Sequence, residues 1–204
     1  MDELIEEAIC NNFSQTSLDN LSAIATVDVR SIDNYTKQYT FFEKANRATD
    51  NGEGVQLKTV AITTRSILNH GNTEYNGSVK LKAEMYFKST SVNNQTVYKL
   101  LYGTGKVIEN DEQYGKDLYI KVRSQGSYTT LSGTRGSKTQ GWYSAYKSNP
   151  AIGTTYYNNH TFEEKYYYCD ENLAMLSLDV TYQFSHNGTT YYTITSSVRY
   201  GSLG

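Results

Sequence analysis

Three histidines, two cysteines and a scatter of carboxylates are the residues of this 204-residue chain that could do chemistry. His70, His160 and His186 each stand beside Asn or Gly, as in Asn69-His70-Gly71 and His186-Asn187-Gly188. General acid–base catalysis needs an imidazole held by a second group within hydrogen-bond reach. Histidines in polar turns are expected to be solvated instead. No Gly-X-Ser-X-Gly elbow is present, and no local signature supports pairing Cys169 with a histidine as a nucleophile. Glycoside hydrolysis would need two carboxylates facing each other across roughly 5–10 Å. The candidates are Glu163 with Glu164, Glu109 with Asp111 and Glu112, and Asp170 with Glu171. Adjacent residues on a strand point to opposite faces, so Glu163 and Glu164 cannot form one pair alone, and all of these read as charges at strand ends.

Metal and cofactor chemistry is equally thin. Asp50-Asn51-Gly52-Glu53 and Asn110-Asp111-Glu112 gather oxygen ligands, but only about three apiece where calcium takes six to eight. Turn chemistry accounts for Asp and Asn there. Gly103-Thr104-Gly105-Lys106 is too short for a phosphate loop and lies in a strand pattern. Cys10 and Cys169 have no second Cys or His at zinc spacing. They are either two buried free thiols or one bridge closing a loop of about 160 residues, worth ~4–5 kcal/mol in the chain-entropy account. No cofactor, no metal and no catalytic residue is expected, and the chain reads as a non-enzyme.

What remains is tyrosine, with 20 residues against one Trp and six Phe. Nine tyrosines occupy residues 1–141 and eleven the shorter stretch 142–204, in runs such as Trp142-Tyr143-Ser144-Ala145-Tyr146, Tyr156-Tyr157 and Tyr166-Tyr167-Tyr168. Consecutive tyrosines on a strand must point to both faces. Some therefore pack inward, as strand propensity alone would have them. Others stand in water, where rings with hydroxyl neighbours offer large contact area at low entropic cost. Trp142, Tyr143, Tyr146, Tyr156 and Tyr157 are the candidate ligand-binding residues. Trp142 follows 132–141, which holds no apolar side chain and reads as a solvated loop; it is expected to be partly exposed near Tyr146.

The elements that must position these residues are mostly strands. Residues 2–10 read as a short helix, with Asp2 as cap, acidic residues near its N-terminus, and Leu4, Ile5, Ala8 and Ile9 on one face; another turn is expected near 16–21. From residue 22 the period is two. The cleanest run, 78–88, puts Val79, Leu81, Ala83, Met85 and Phe87 on one side and Lys80, Lys82, Glu84, Tyr86 and Lys88 on the other, a strand with one wet face. Further strands are expected at 37–43, 55–66, 96–108, 117–124, 140–147, 161–169, 173–185 and 190–200. Asp50-Asn51-Gly52 and Asn187-Gly188 are hairpin signals, and Gly133-Thr134-Arg135-Gly136 marks a loop tip. The expected core comprises Val27, Val29, Leu57, Val79, Leu81, Met85, Phe87, Leu100, Leu118, Ile120, Leu176, Leu178, Val180 and Ile194.

With no repeat, no linker and one proline, residues 1–204 read as a single all-β domain, an antiparallel β-sandwich of about 8–10 strands with a short N-terminal helix. A formal charge of −2 excludes a strongly basic nucleic-acid binder, and no apolar run is long enough for a transmembrane helix. Hydroxyl- and tyrosine-rich strands suggest a secreted or cell-surface protein whose leader has been removed, with a cytoplasmic one as the alternative. The expected function is non-catalytic binding of a glycan or protein. The alternatives are a membrane-active, pore-forming β-protein, since long alternating strands also suit a barrel wall, and an enzyme whose site the sequence does not display.

Overall fold

A computed structural model describes Glu7, Thr16, Asp19, Asn20 and residues 25–31, 36–43, 56–67, 77–110, 115–138, 142–160, 163–186 and 189–204. They are predominantly antiparallel β-sheet. Five strands run as a meander: β1 (Ala25–Ser31), β2 (Thr36–Glu43), β3 (Gln56–Ile67), β4 (Gly77–Val92) and β5 (Gln95–Asn110). A second group is β6 (Gly115–Thr129), β11 (Leu173–His186) and β12 (Thr189–Leu203), in that lateral order. The two-residue β10 (Tyr166–Tyr167) joins the groups, because Tyr167 pairs with Tyr98 of β5 and with Tyr128 of β6. Three short strands complete the sheet. β7 (Arg135–Lys138) and β8 (Tyr143–Ser148) pair with β6, and β9 (Thr155–Asn158) pairs with β5.

Every expected core residue whose side chain is described is buried. Val79, Leu81, Met85, Phe87, Leu100, Leu118, Ile120, Leu176, Leu178, Val180 and Ile194 are all buried; the side chains of Val27, Val29 and Leu57 lie outside the described set. The two groups of strands meet through these residues. Phe87 of β4 packs on Tyr200 of β12 with ring centroids 4.6 Å apart. On β5, a Cβ placed on Gly103 would lie 2.7 Å from Leu178 and 2.8 Å from Val122, so glycine lets this backbone press against β6 and β11.

Several expectations need correction. The face of β4 opposite its apolar residues is not wet at its centre: Lys82 and Glu84 are 1% and 4% exposed. They neutralise each other at 3.1 Å, and Thr104 donates to Glu84 at 3.3 Å. Pairing of opposite charges with an added hydrogen bond is what makes such burial tolerable. Residues 135–138, read as part of a solvated loop, form β7. The Thr130–Gly133 turn, with Gly133 at φ +85, closes a hairpin whose backbone pairing requires no apolar side chain. Of the strand expected over 161–169, residues 161–162 lie outside the described set, and among the described 163–169 Tyr166–Tyr167 pair as β10. β9 was not expected, and the described residues form twelve strands where about eight to ten were expected.

The expected helix 2–10 lies outside the described residues apart from Glu7, as do Cys10, Asn51 and Asn187-Gly188. The pairing of His186 with Thr189 still shows β11 and β12 joined as a hairpin. Cys169 is a buried free thiol. No helix among the described residues is long and apolar enough to cross a membrane.

Candidate functional site: the tyrosines of β8 and β9

β8 and β9 carry four of the five candidate residues, and Trp142 immediately precedes β8. β8 lies along Asp117–Val122 of β6, and β9 along Gly103–Lys106 of β5. Between them the chain turns at Asn149 (φ 46) and Gly153 (φ 80), and Gly153 donates its backbone N–H to Val107 at 2.8 Å. Asn158, buried, ties the two strands together. Its amide donates to the backbone carbonyls of Ile120 at 2.7 Å and Tyr143 at 2.9 Å, and its oxygen accepts from the His160 backbone at 3.1 Å.

Register decides which way each ring points, since paired residues share a face. Tyr146 is paired with Tyr119 and stands on the outer face of β6 with its ring 5.1 Å away. It is 57% exposed and donates its hydroxyl to Asp117 at 2.8 Å. Trp142 is half-buried between two guanidinium groups, 4.5 Å from that of Arg123 and 5.4 Å from that of Arg199. Arg199 in turn pairs with Asp179 at 2.6 Å and donates to the carbonyls of Leu178 and Val198. The ring partners of Trp142 are thus arginines, while Tyr146 is partnered by Tyr119.

Tyr143, in register with Val122, turns to the other side and stacks on His160 at 3.5 Å and 13°. His160 is therefore half-buried against a ring rather than solvated. Tyr156, opposite Gly105, sits partly buried against the core, with Lys147 5.6 Å over its ring and its hydroxyl accepting from the Ala151 N–H at 2.9 Å. Tyr157 is opposite Thr104 and points outward, 56% exposed. Its ring lies 6.0 Å from Tyr102, which stacks on Tyr86 at 4.3 Å and 19°. One row of three rings therefore crosses β4, β5 and β9.

The five candidate residues do not form one patch. The core faces of β5 and β6 oppose each other through Gly103, Gly105, Ile120 and Val122. Tyr157 with its row and Tyr146 with Trp142 consequently look in opposite directions, and Tyr143 and Tyr156 lie on the core-facing side between them. Tyr86, Tyr102 and Tyr119 were not singled out in the sequence, although each alternates correctly for an outer face.

Several of the described groups weighed for catalysis have protein partners, while His70, Asp111 and Glu112 lie outside the described residues. Burial, with Asp170 beside it, pushes the Cys169 thiol well above its ordinary range, so it carries no thiolate at neutral pH. Asp170 accepts from Tyr98 at 2.5 Å and from Tyr200 at 3.3 Å. Glu171 accepts from Gln95 at 2.7 Å, Glu163 pairs with Lys165, and Glu109 lies 3.9 Å from Lys80. Among the described residues no three His, Cys, Asp or Glu side chains are grouped to hold a metal. Comparison with protein families, with curated proteins and with solved structures returns no match.

Proposed function

We propose that the chain is an exported or cell-surface binding module without catalytic activity, its two groups of strands packed as a β-sandwich, and that its ligand is a glycan laid along Tyr86, Tyr102 and Tyr157. The observation that carries this reading is the row itself: three rings on neighbouring strands, one stacked pair and an exposed outer member. Strand spacing makes such a platform roughly 10 Å wide. Flat aromatic faces attract the apolar C–H faces of sugars, while hydroxyl and ammonium neighbours serve their edges. Lys106 of β5 and Thr155 of β9 adjoin the row in register.

A glycan array probed with the wild-type chain and with Tyr157→Ala tests this. Binding to a subset of glycans, weakened about tenfold or more in Tyr157→Ala, supports the reading. A blank array together with capture of a protein partner from culture or host extracts transfers the same surface to protein recognition.

The pore-forming alternative draws on one feature. β11 and β12 are 14 and 15 residues long, more than the roughly 9–11 a membrane strand needs, and alternate an apolar with a hydroxyl-rich face. Release of dye from liposomes at micromolar protein would favour it over the glycan reading, and silence in that assay removes it.

A further inference from the structure

A second concave site lies where the β4–β5 and β6–β7 hairpins turn. It is a cleft of about 350 Å3 whose walls include Gln95, Tyr128, Arg135, Gly136, Tyr168 and Glu171. That volume is at the small end of ligand pockets. Its polar groups are linked in a chain: Arg135 donates from Nη2 to the side-chain Oε1 of Gln95 at 2.8 Å, and Gln95 donates from Nε2 to Glu171 at 2.7 Å. The guanidinium of Arg135 also sits 5.6 Å over the ring of Tyr168. Tyr168 itself is 4% exposed, and its hydroxyl is shut off from solvent without a protein partner.

Space has been made here. Gly136 has no positive φ that would demand glycine, yet a Cβ on it would fall 2.7 Å from the Tyr128 ring and hydroxyl. The missing side chain allows the Tyr128 ring to lie across β7 and form one wall.

We propose that this cleft binds a single uncharged sugar residue. Arg135 keeps N–H donors beyond the one spent on Gln95, and Glu171 keeps acceptor sites beyond the one that Gln95 fills. Donors and acceptors are therefore presented side by side, which is what adjacent sugar hydroxyls require, each being donor and acceptor at once. The charges of Arg135 and Glu171 offset one another through Gln95, so neither an anion nor a cation finds a net opposite charge. Tyr128 and Leu173 supply the apolar wall for a ring face. The tyrosine row of β4, β5 and β9 contributes no residue to this cleft, and the two sites stand or fall separately.

The test titrates wild-type protein with free monosaccharides (a hexose, a pentose and an N-acetylhexosamine) and, for contrast, with inorganic phosphate and glycine, followed by saturation-transfer NMR and calorimetry. For so few ligand atoms a dissociation constant on the order of millimolar is expected. Binding should weaken about tenfold or more in Arg135→Ala and in Glu171→Ala, and in Gly136→Ala, which narrows the cleft. Arg135 and Glu171 are exposed, so their variants should fold, and the Trp142 emission spectrum checks that they do. Tyr157→Ala should bind as wild type. Three results overturn the proposal: no monosaccharide bound at concentrations on the order of tens of millimolar, phosphate or glycine bound in preference to sugars, or equal loss in Tyr157→Ala.

Discussion

The side-chain amide of Asn158 donates to the backbone carbonyl of Ile120 at 2.7 Å, fastening a strand that pairs with β5 to the middle of β6. Tyr167 of β10 bridges β5 and β6 near Tyr98 and Tyr128. Asn158 is a second tie between them, and it holds β8 as well through Tyr143. Asn158→Ala removes both donated bonds and the acceptor for His160. A loss of about 1–3 kcal/mol is expected, and proteolysis within 149–154 should quicken as β9 loosens. Urea unfolding and limited digestion measure the two. Unchanged stability would show that the tie is incidental.

The buried pair on β4 gives a sharper prediction. Lys82→Met alone should cost about 3–5 kcal/mol, because it removes the ammonium that lies 3.1 Å from the buried Glu84 carboxylate. The double variant Lys82→Met with Glu84→Leu should recover most of that loss, since the protein then desolvates no ion. A double-mutant cycle by chemical denaturation reads the coupling directly. Equal losses in the single and double variants would mean that the pair is not coupled.

Where the sequence failed, the reason is a register that no local pattern displays. Tyr86 would face Leu101 if the β4–β5 hairpin ran regularly from its Asn93-Asn94 turn, where Val92 pairs with Gln95. A bulge between Tyr86 and Phe87 shifts the pairing, and Tyr86 faces Tyr102 instead. The aromatic row exists because of that one inserted residue. Alternation was sufficient for the core, because burying one face is a local property of each strand. It could not reveal that Tyr146 and Tyr157 face opposite ways, which follows from contacts between strands distant in the chain. Nor could it reveal that Lys82 is covered, since a strand pattern reports polarity and not what lies over it.

Two glycines shape the entry of β11. On the neighbouring strands Gly126 pairs with Ala174 and Gly201 with Met175, at φ +103 and +81. A Cβ on Gly126 would fall 2.2 Å from the Leu173 carbonyl oxygen, and one on Gly201 would fall 2.4 Å from that of Ala174. Backbone oxygens cannot move aside as a side-chain tip can. Alanine at either site should therefore cost about 2–4 kcal/mol, combining positive-φ strain with the clash. Gly153→Ala is the control: its φ is +80, but no atom lies within 4 Å of the added Cβ, so only the strain remains. Thermal melts of the three variants should rank Gly153→Ala as the mildest.

The buried tyrosines set an alkaline limit. Burial pushes the Tyr167 hydroxyl up to about 12, and pushes Tyr98 and Tyr200 higher still, with Asp170 adding to both. In the unfolded chain the same groups ionise near their ordinary value of about 10. A group whose folded pKa is raised contributes its full stability below the unfolded value and loses it as the pH climbs toward the folded one. Stability should therefore be flat through neutral pH and fall from about pH 10 upward. Absorbance at the phenolate band, followed beside circular dichroism, should show exposed tyrosines titrating first and a second step coincident with unfolding. A single smooth titration with the fold intact would show that these hydroxyls are not held protonated by the core.

Trp142 is where stability and binding separate. Its ring lies between Arg123 and Arg199 on the outer face of β6, β11 and β12, turned away from Tyr157. Cation–π contacts of this kind are worth about 0.5–1 kcal/mol each when exposed and up to about 2 when desolvated. Trp142→Ala should thus lower stability by about 1–3 kcal/mol and leave glycan binding at the Tyr157 row intact, whereas Tyr157→Ala should do the reverse. Its fluorescence should be partly quenched by acrylamide, and more so in Arg123→Ala, which removes the nearer of the two guanidinium contacts. If Trp142→Ala abolishes glycan binding while Tyr157→Ala does not, the ligand lies on the opposite face of the molecule, and the row on β4, β5 and β9 is a packing feature.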